Sequence, residues 1–210
     1  MLPVWVNTAI VSENTRKIIL SGAKDIFLEK GYQGATMRDI AERANINKGL
    51  LHYYFKSKKI LFVEAFKFIA MEIFPKLEKV IKSNMSFYKK IELIVDAYIE
   101  LLCKNPKLPP FIINEINFNR DIFLESMISA GFVPNVPLIK TFILEGIKEN
   151  KLKKIDPLQF VLNGLSMMIF PFLLRPIMTH VENISDNEYL ELMKLRKRLI
   201  VDTLINSLKN

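Results

Sequence analysis

A short segment near the amino end of the chain combines basic, aromatic and apolar side chains at helical spacing. It begins at Lys48 and reads Lys-Gly-Leu-Leu-His-Tyr-Tyr-Phe. Leu51 and Phe55 would share one side of a helix, because residues four apart lie above one another. Lys48, His52 and Tyr53 would lie off that side, where they could reach phosphates or base edges. The pattern is typical of a helix that packs on one side and enters a DNA groove with the other.

The flanking residues predict two short helices joined by a tight turn, with a third helix after them. Thr36 can cap the first helix, and Asn45 tolerates the left-handed backbone that ends it. Asn47 can cap the second helix, from Lys48 to about Phe55, and Ser57 can cap the third. Only about three residues then separate the first two helices, as a helix-turn-helix requires.

Two lysines follow the third cap in an unusual place. Lys58 and Lys59 would lie in the first turn of that helix, where cations are unfavourable unless an anion is nearby. A docked DNA phosphate would make them favourable. The alternative is that both are exposed lysines without a function.

The charge of the chain is concentrated around this motif. The formal net charge is +8 and the isoelectric point is about 9.4. Residues 1–60 hold ten basic and five acidic side chains, whereas the other 150 residues hold twenty and seventeen. A polyanionic partner is therefore expected at the amino-terminal part.

Residues 16–61 resemble the DNA-binding domain of the tetracycline-repressor (TetR) family of bacterial transcription regulators. The matching residues are Ala23, Phe27, Gly31, Tyr32, Gly34, Ala35, Thr36, Ile40, Ala41, Ala44, Lys48, Gly49, Leu51, Tyr54, Phe55, Lys58 and Leu61. The resemblance implies an all-α fold, with a helix-turn-helix domain of three helices over 13–60 and a helical ligand-binding and dimerisation domain over 61–210. It also implies a cytoplasmic, sequence-specific DNA-binding regulator, most often a ligand-responsive repressor that binds a palindromic operator as a homodimer.

The resemblance assigns a set of residues to the DNA interface. They are Thr36, Arg38, Asn47, Lys48, Gly49, Leu50, His52, Tyr53, Tyr54 and Lys58. Lys48 is expected to contact a base or a nearby phosphate, and Gly49 to let the backbone approach the duplex. Thr36 and Lys58 are assigned to phosphates, which position a protein without reading sequence. Tyr54 is either another phosphate contact or a packed aromatic residue.

Helical periodicity is nearly continuous along the rest of the chain, which predicts about nine or ten helices in all. The predicted spans outside the helix-turn-helix are 13–30, 58–82, 87–103, 107–118, 121–129, 136–150, 156–179 and 185–208. Pro75 lies inside the 58–82 span, so a kink or break is expected near Met71–Phe74.

The last two predicted helices are the candidate dimer interface. The 185–208 helix carries an apolar stripe among many charges, formed by Tyr189, Leu192, Met193, Leu199, Ile200 and Leu204. The 156–179 helix is apolar on more than one face, as expected if it contacts both its own core and a partner. Use of both helices within one chain is the alternative.

A regulatory ligand is implied by the resemblance, and the candidate ligand-binding residues are mostly aromatic. They are Phe111, Asn114, Glu115, Phe118, Phe142, Met167 and Phe170. Together they could line a cavity for a hydrophobic small-molecule effector, whose binding would shift the 58–82 helix and weaken DNA binding. Plain core packing is the alternative for each aromatic residue.

Other functional classes find little support in the residues. His52 and His180 are far apart, the single Cys103 is weak evidence for a reducing compartment, and no metal-ligand cluster or glycine-rich phosphate loop occurs. We therefore expect no enzyme, no metal and no cofactor. The remaining alternative is a small-molecule-binding or interaction protein of the same helical fold without DNA-binding activity.

Two apolar stretches are tested as membrane or export signals. The run from Phe160 to Leu174 is about fifteen residues long, short of the twenty that a span needs, so a buried helix and no membrane association are expected. Met1–Val11 lacks a basic leader and is too short for a signal peptide, so it is either a disordered arm or a segment added for expression. The sequence leaves open whether residues 1–14 are ordered.

Overall fold

The computed structural model describes residues 4–130, 132–148, 153 and 155–208, and within these residues every regular element is an α-helix. The helices are α1 (Val4–Gly34), α2 (Met37–Arg43), α3 (Lys48–Tyr54), α4 (Lys58–Ala70), α5 (Phe74–Lys82), α6 (Phe87–Lys104), α7 (Leu108–Phe118), α8 (Arg120–Ser129), α9 (Phe132–Lys148), α10 (Pro157–Val181) and α11 (Asp186–Leu208). The all-α prediction is confirmed. The eleven described helices exceed the predicted nine or ten because the 58–82 span forms two.

The contacts divide the chain into two compact units. The first unit contains the described residues up to Met71 together with Phe111–Ala130, and the second contains Glu72–Pro110 and the described residues from Phe132 onward. This division differs from the predicted boundary at residue 60. α4, most of α7 and all of α8 belong to the same unit as the amino-terminal helices.

The core of the first unit forms around α1 and α4. The buried face of α1 is made of Ile19, Leu20, Ala23, Ile26 and Phe27. α1 packs against α2 and α4, and α4 packs against α8. At the centre, the ring of Phe62 lies 4.9 Å from that of Phe27, 5.0 Å from that of Tyr32 and 6.1 Å from that of Phe111. The aromatic cluster ties α7 to the amino-terminal helices.

The start of α1 differs from the sequence-based expectation. Val4–Val11 forms helix, a point that the sequence left open, and Met1–Pro3 lies outside the described part of the chain. The predicted end at Gly31 is confirmed in its geometry, because Gly31 has φ 68° and ψ 177° inside the span.

The predicted break within residues 58–82 is confirmed. α4 ends at Ala70 and α5 begins at Phe74, with Pro75 in the first turn of α5. Proline suits this position because the first turn of a helix has no internal partner for its N–H groups.

The second unit is built on α6, α10 and α11. α6 packs against α5, α10 and α11, and α9 packs against α5 and α10. The rings of Phe87 and Phe142 stack with centroids 4.5 Å apart, and the Tyr189 hydroxyl donates to the Pro171 carbonyl at 2.8 Å. Gly164 on α10 faces Leu204 on α11, where an added Cβ would lie 3.7 Å from a Leu204 methyl carbon, at ordinary van der Waals distance.

α10 has two apolar faces, as predicted. Its buried stripe is Pro157, Phe160, Gly164, Met168 and Phe172, and its exposed apolar stripe is Leu158, Leu162, Phe170, Ile177 and Val181. Among the described helices it is the one long and apolar enough to cross a bilayer, with a mean hydropathy of 1.6 over a window that is 28% buried. The helix is longer than the fifteen-residue run expected, and only one of its sides is buried.

Candidate nucleic-acid interface

Side-chain caps set the amino-terminal ends of α2, α3 and α4. The Thr36 hydroxyl accepts from the Asp39 backbone N–H at 3.1 Å, while the Thr36 backbone N–H donates to the Asp39 carboxylate at 3.1 Å. This reciprocal pair is a capping box. The Asn47 side chain accepts from the Leu50 N–H at 2.8 Å, and the Ser57 hydroxyl accepts from the Ile60 N–H at 3.2 Å. The three predicted caps are confirmed.

The turn between α2 and α3 is closed at Asn45. This residue has φ 52°, in the left-handed region, as predicted. The Asn45 N–H donates to the Glu42 carbonyl at 3.1 Å and the Ile46 N–H to the Ala41 carbonyl at 3.0 Å. Both bonds match a Schellman motif, which satisfies the last carbonyls of a helix and reverses the chain.

Close packing holds α2 against α1. Ala44 at the end of α2 is buried, and a Cβ added to Gly22 would lie 3.2 Å from the Ala44 Cβ. Two small residues thus allow the backbones to approach, which places α3 at a fixed angle to the rest of the first unit.

α3 has an inner and an outer side. Leu51 and Phe55 are buried, which confirms their predicted core role. Lys48, Gly49, His52 and Tyr53 are exposed, and 72% of the Tyr53 surface is open to solvent. The outer side therefore presents one cation, two hydrogen-bonding rings and a stretch of backbone without a side chain.

Lys56 belongs to this outer side, although the sequence did not single it out. Its ammonium lies 5.8 Å from the centroid of the Tyr53 ring, and the Tyr53 and Tyr54 rings meet edge to face at 5.5 Å. The Tyr54 hydroxyl donates to the Ser12 hydroxyl on α1 at 3.3 Å. Tyr54 is half-buried, so both of its predicted roles stay open.

Lys58 has partners inside the protein. Its ammonium donates to the carbonyl oxygens of Tyr32 at 2.8 Å, Ala35 at 3.1 Å and Gln33 at 3.4 Å. It also lies 4.6 Å from the centroid of the Tyr32 ring. Lys58 therefore caps the carboxyl end of α1, and its phosphate contact stays a prediction.

Lys59 also meets an anion of the chain. Its ammonium lies 2.8 Å from the Glu125 carboxylate on α8, and this hydrogen bond raises the pKa of Lys59. The cations at the start of α4 are thus compensated within the first unit, without a phosphate.

The predicted DNA contacts Arg38 and Thr36 form hydrogen bonds with acidic side chains of α2. Arg38 is exposed and its Nε donates to the Glu42 carboxylate at 2.8 Å. Hydrogen bonds from Lys30, and then from Thr36, lower the pKa of the Asp39 carboxyl below 3.8. The Asp39 carboxylate therefore stays ionised in the capping box at neutral pH. Leu50 is half-buried beside the exposed side chains of α3.

The candidate ligand-binding residues fall in both units and are not equivalent. In the first unit, Phe111 is buried, Asn114 is exposed, Phe118 is 76% exposed, and the buried Glu115 carboxylate accepts hydrogen bonds from the protein. In the second unit, Phe142 is buried, Met167 is half-buried and Phe170 is exposed. The structure does not assign a ligand to any of them.

Two cavities near these residues or in the second unit differ greatly in volume. The cavity beside Phe111 has a volume of about 10 Å³, enough for no more than one water molecule. In the second unit, α6 and α11 border a cavity of about 440 Å³, which lies within the range of small-molecule sites. Its lining residues are Glu100, Cys103, Lys104, Asn187, Leu190, Glu191, Lys194 and Lys197. This lining is more polar than expected from the sequence.

Comparison with known proteins identifies the helix-turn-helix. Residues 19–65 match the family described as bacterial regulatory proteins, tetR family. This part of the chain is similar to the DNA-binding domain of the TetR family. The function of the chain is that of a DNA-binding transcriptional regulator, as the resemblance of residues 16–61 implied.

Relatives of known sequence extend the likeness beyond this TetR-family domain. The chain is 28% identical over 147 residues to the uncharacterised HTH-type transcriptional regulator YhgD of Bacillus subtilis, covering 70% of this chain and 76% of that protein. It is 36% identical over 84 residues to IcaR, a negative transcriptional regulator of the biofilm operon icaADBC in Staphylococcus aureus, covering 40% and 41%.

Solved structures share the whole TetR-like architecture. The hemolysin II transcriptional regulator HlyIIR is 22% identical, with a TM-score of 0.64 that covers 94% of this chain and 98% of that one. FadR of Bacillus subtilis, in complex with stearoyl-CoA, is 18% identical, with a TM-score of 0.68 that covers 92% and 100%. At these identities the likeness shows the fold.

Proposed function

We propose that this TetR-family regulator is a homodimeric repressor that reads a palindromic operator with α3 and leaves it when a largely apolar small molecule binds. The outer side of α3 is the observation that carries the proposal. It exposes Lys48, His52 and Tyr53 next to the bare backbone of Gly49, while Leu51 and Phe55 anchor the helix.

The chemistry of this side suits a major groove. Lys48 stands at the amino end of α3, the part of a recognition helix that contacts base edges. Its ammonium can donate to guanine or to a phosphate, whereas Tyr53 can hydrogen-bond or pack against a thymine methyl group. Arg38 and Lys56 flank α3 with further positive charge for phosphates.

Dimerisation is supported by the second unit. On α10, Leu158, Leu162, Phe170, Ile177 and Val181 expose an apolar stripe, and on α11 Leu192, Leu195 and Leu199 expose another. Exposed stripes of this kind mark interaction surfaces, because large apolar patches are rare on monomeric proteins. A two-fold dimer would present two copies of α3 to two half-sites about 34–36 Å apart, or a multiple of that spacing.

Repression and ligand response are supported by relatives. IcaR is a negative regulator, and FadR was solved with stearoyl-CoA. In the second unit of this chain Phe142 is buried, Met167 is half-buried and Phe170 is exposed, and these apolar side chains suit an apolar effector. Binding would favour one arrangement of the helices over another and so lower operator affinity.

Selection of bound duplexes from a random pool tests the proposal. An inverted repeat among the recovered sequences is expected, and recovery of unrelated sequences would contradict operator reading. Lys48→Ala should lower affinity for the recovered duplex, while the matched change Lys76→Ala, at an exposed residue of α5, should not. Equal affinity of both variants would remove Lys48 from the interface.

The rival function is a protein of this fold that binds no DNA. Titration of mixed-sequence duplex against salt separates the two, since each phosphate contact contributes about −0.9 to the slope of log K against log salt. A steep slope supports DNA binding, and no affinity at low salt supports the rival.

Thermal unfolding with and without a long-chain acyl compound then tests the effector, which should raise the midpoint of unfolding and release the operator.

A further inference from the structure

The corner between α1 and α2 is held by residues far away in the sequence. Gly31 has φ 68°, and the chain then turns through Tyr32 to Thr36, the cap of α2. The Ala35 N–H donates to the Gly31 carbonyl at 3.2 Å. Other backbone groups of the corner are bound by side chains of α4 and α7.

A buried carboxylate of α7 binds one side of the corner. Glu115 has no exposed surface, and its Oε1 accepts from the Tyr32 backbone N–H at 2.9 Å. Its Oε2 accepts from the Asn119 amide at 2.8 Å, and the Asn119 side-chain oxygen accepts from the Gln33 amide at 2.7 Å. The Asn114 amide donates to Oε1 at 3.4 Å. Glu115 thus ties the corner both directly and through Asn119.

Lys58 binds the opposite side. It donates to the carbonyls of Tyr32, Gln33 and Ala35, so the Tyr32 residue meets a carboxylate at its N–H and an ammonium at its carbonyl. Removing a charge from water is costly unless it is fully hydrogen-bonded. Hydrogen bonds to the same short stretch of backbone offset the cost of removing these two charges from water.

Gly31 makes room for this arrangement. A Cβ at this position would lie 2.9 Å from Glu115 Oε1, in a backbone conformation that other residues rarely adopt. The glycine, the carboxylate and the lysine therefore specify one geometry of the corner.

We propose that Glu115 is a positioning residue for operator recognition, acting through Tyr32 and through Asn119 and Gln33 on the start of α2. It contacts no DNA. α3 follows α2 through the closed turn at Asn45, so a shift of the corner changes the angle at which α3 meets the groove. α7 thereby acts on the reading helix through the corner between α1 and α2. The proposal rests on DNA reading by α3.

The test compares specificity, because partial unfolding lowers the affinity for every duplex alike. Glu115→Met removes the carboxylate that accepts from the Tyr32 N–H and keeps a side chain of similar length. The ratio of affinities for the selected operator and a mixed-sequence duplex should fall about tenfold or more, as it does for a mismatched base pair. Glu145→Met, at an exposed residue of α9, is the matched control and should leave the ratio unchanged. Glu115→Gln should restore most of it, because its amide oxygen can still accept from Tyr32.

Two further measurements keep the test decisive if Glu115→Met folds poorly. Gln33→Ala, at an exposed side chain, removes one link to Asn119 and should lower the ratio about two- to tenfold, the effect of one hydrogen bond. Hydrogen exchange at the Tyr32 amide should accelerate in Glu115→Met and not in Glu145→Met. An unchanged ratio in the folded Glu115 and Gln33 variants overturns the proposal. If the unmodified chain binds both duplexes equally, DNA reading itself fails, and the proposal fails with it.

Discussion

Lys58 has two candidate partners, and they place different demands on its ammonium group. An operator phosphate would hold it only in the complex, whereas the carbonyls of Tyr32, Gln33 and Ala35 hold it in the free protein. An ammonium group has three N–H donors, and three carbonyl oxygens lie within hydrogen-bond distance of the Lys58 nitrogen, one for each donor. We infer that capping of α1 is its first role.

Replacing Lys58 separates the two roles. In Lys58→Met the aliphatic stem remains and the donors are lost, so the free energy of unfolding should fall by about 1–3 kcal/mol, as for a hydrogen-bonded charge. Lys56→Met, at an exposed residue, should change it little. Urea denaturation measures both. If Lys58→Met leaves stability unchanged but makes the salt slope of DNA binding less steep by about 0.9, the phosphate role is the right one.

At the scale of elements, local chemistry made the helix-turn-helix predictable. The contacts that Lys58 and Glu115 make with the end of α1 could not be predicted in this way. The caps Thr36, Asn47 and Ser57 and the left-handed Asn45 act on neighbours within four residues, and all were predicted correctly. Lys58 and Glu115 both bind the backbone of Tyr32, which is more than twenty residues away from each of them, so periodicity and capping rules carry no signal for these contacts. Only the polar character of Glu115 within an apolar helix hinted at a buried role.

Asn47 allows capping to be separated from DNA contact. Asn47→Asp keeps an oxygen for the Leu50 N–H and adds a negative charge, which suits a helix start. Stability should therefore be unchanged or slightly higher. Operator affinity should fall, since the new carboxylate faces the phosphates. Denaturation and fluorescence anisotropy give the two values, and loss of stability in parallel with affinity would contradict this assignment.

The cavity between α6 and α11 predicts the reactivity of the single cysteine. Burial raises the pKa of the Cys103 thiol above 9.0, although Lys194 and Lys197 act in the opposite direction. Burial disfavours the thiolate, so the thiol stays protonated and slow to react at neutral pH. The rate of reaction with a disulfide reagent should rise with pH through a midpoint above 9.0. A midpoint below that of free cysteine would show that the lysines outweigh burial.

At the scale of the whole molecule, the exposed stripes of α10 and α11 are the proposed dimer interface. The same two helices also build the core of the second unit, with Phe172, Ile200 and Leu204 on their inner sides. Sequence periodicity detected the apolar residues but could not divide them into an inner and an outer set, since both sets are apolar. The division follows from packing against α6, which is a tertiary contact.

A charge on the outer stripe tests whether it is the dimer interface. Leu195 is 75% exposed on α11, so Leu195→Glu should leave the fold of each chain intact while placing a carboxylate against the partner. Burying an unpaired charge at an interface is costly, so the variant should sediment as a monomer of 24.4 kDa and the unmodified chain at about twice that mass. Ile128→Glu, at a 62% exposed position on α8, is the matched control and should remain dimeric. Because two linked copies of α3 bind two half-sites far more tightly than one, the Leu195 variant should also lose operator affinity while keeping weak binding to mixed-sequence DNA. A dimer that survives this change would locate the contact on another surface of the chain.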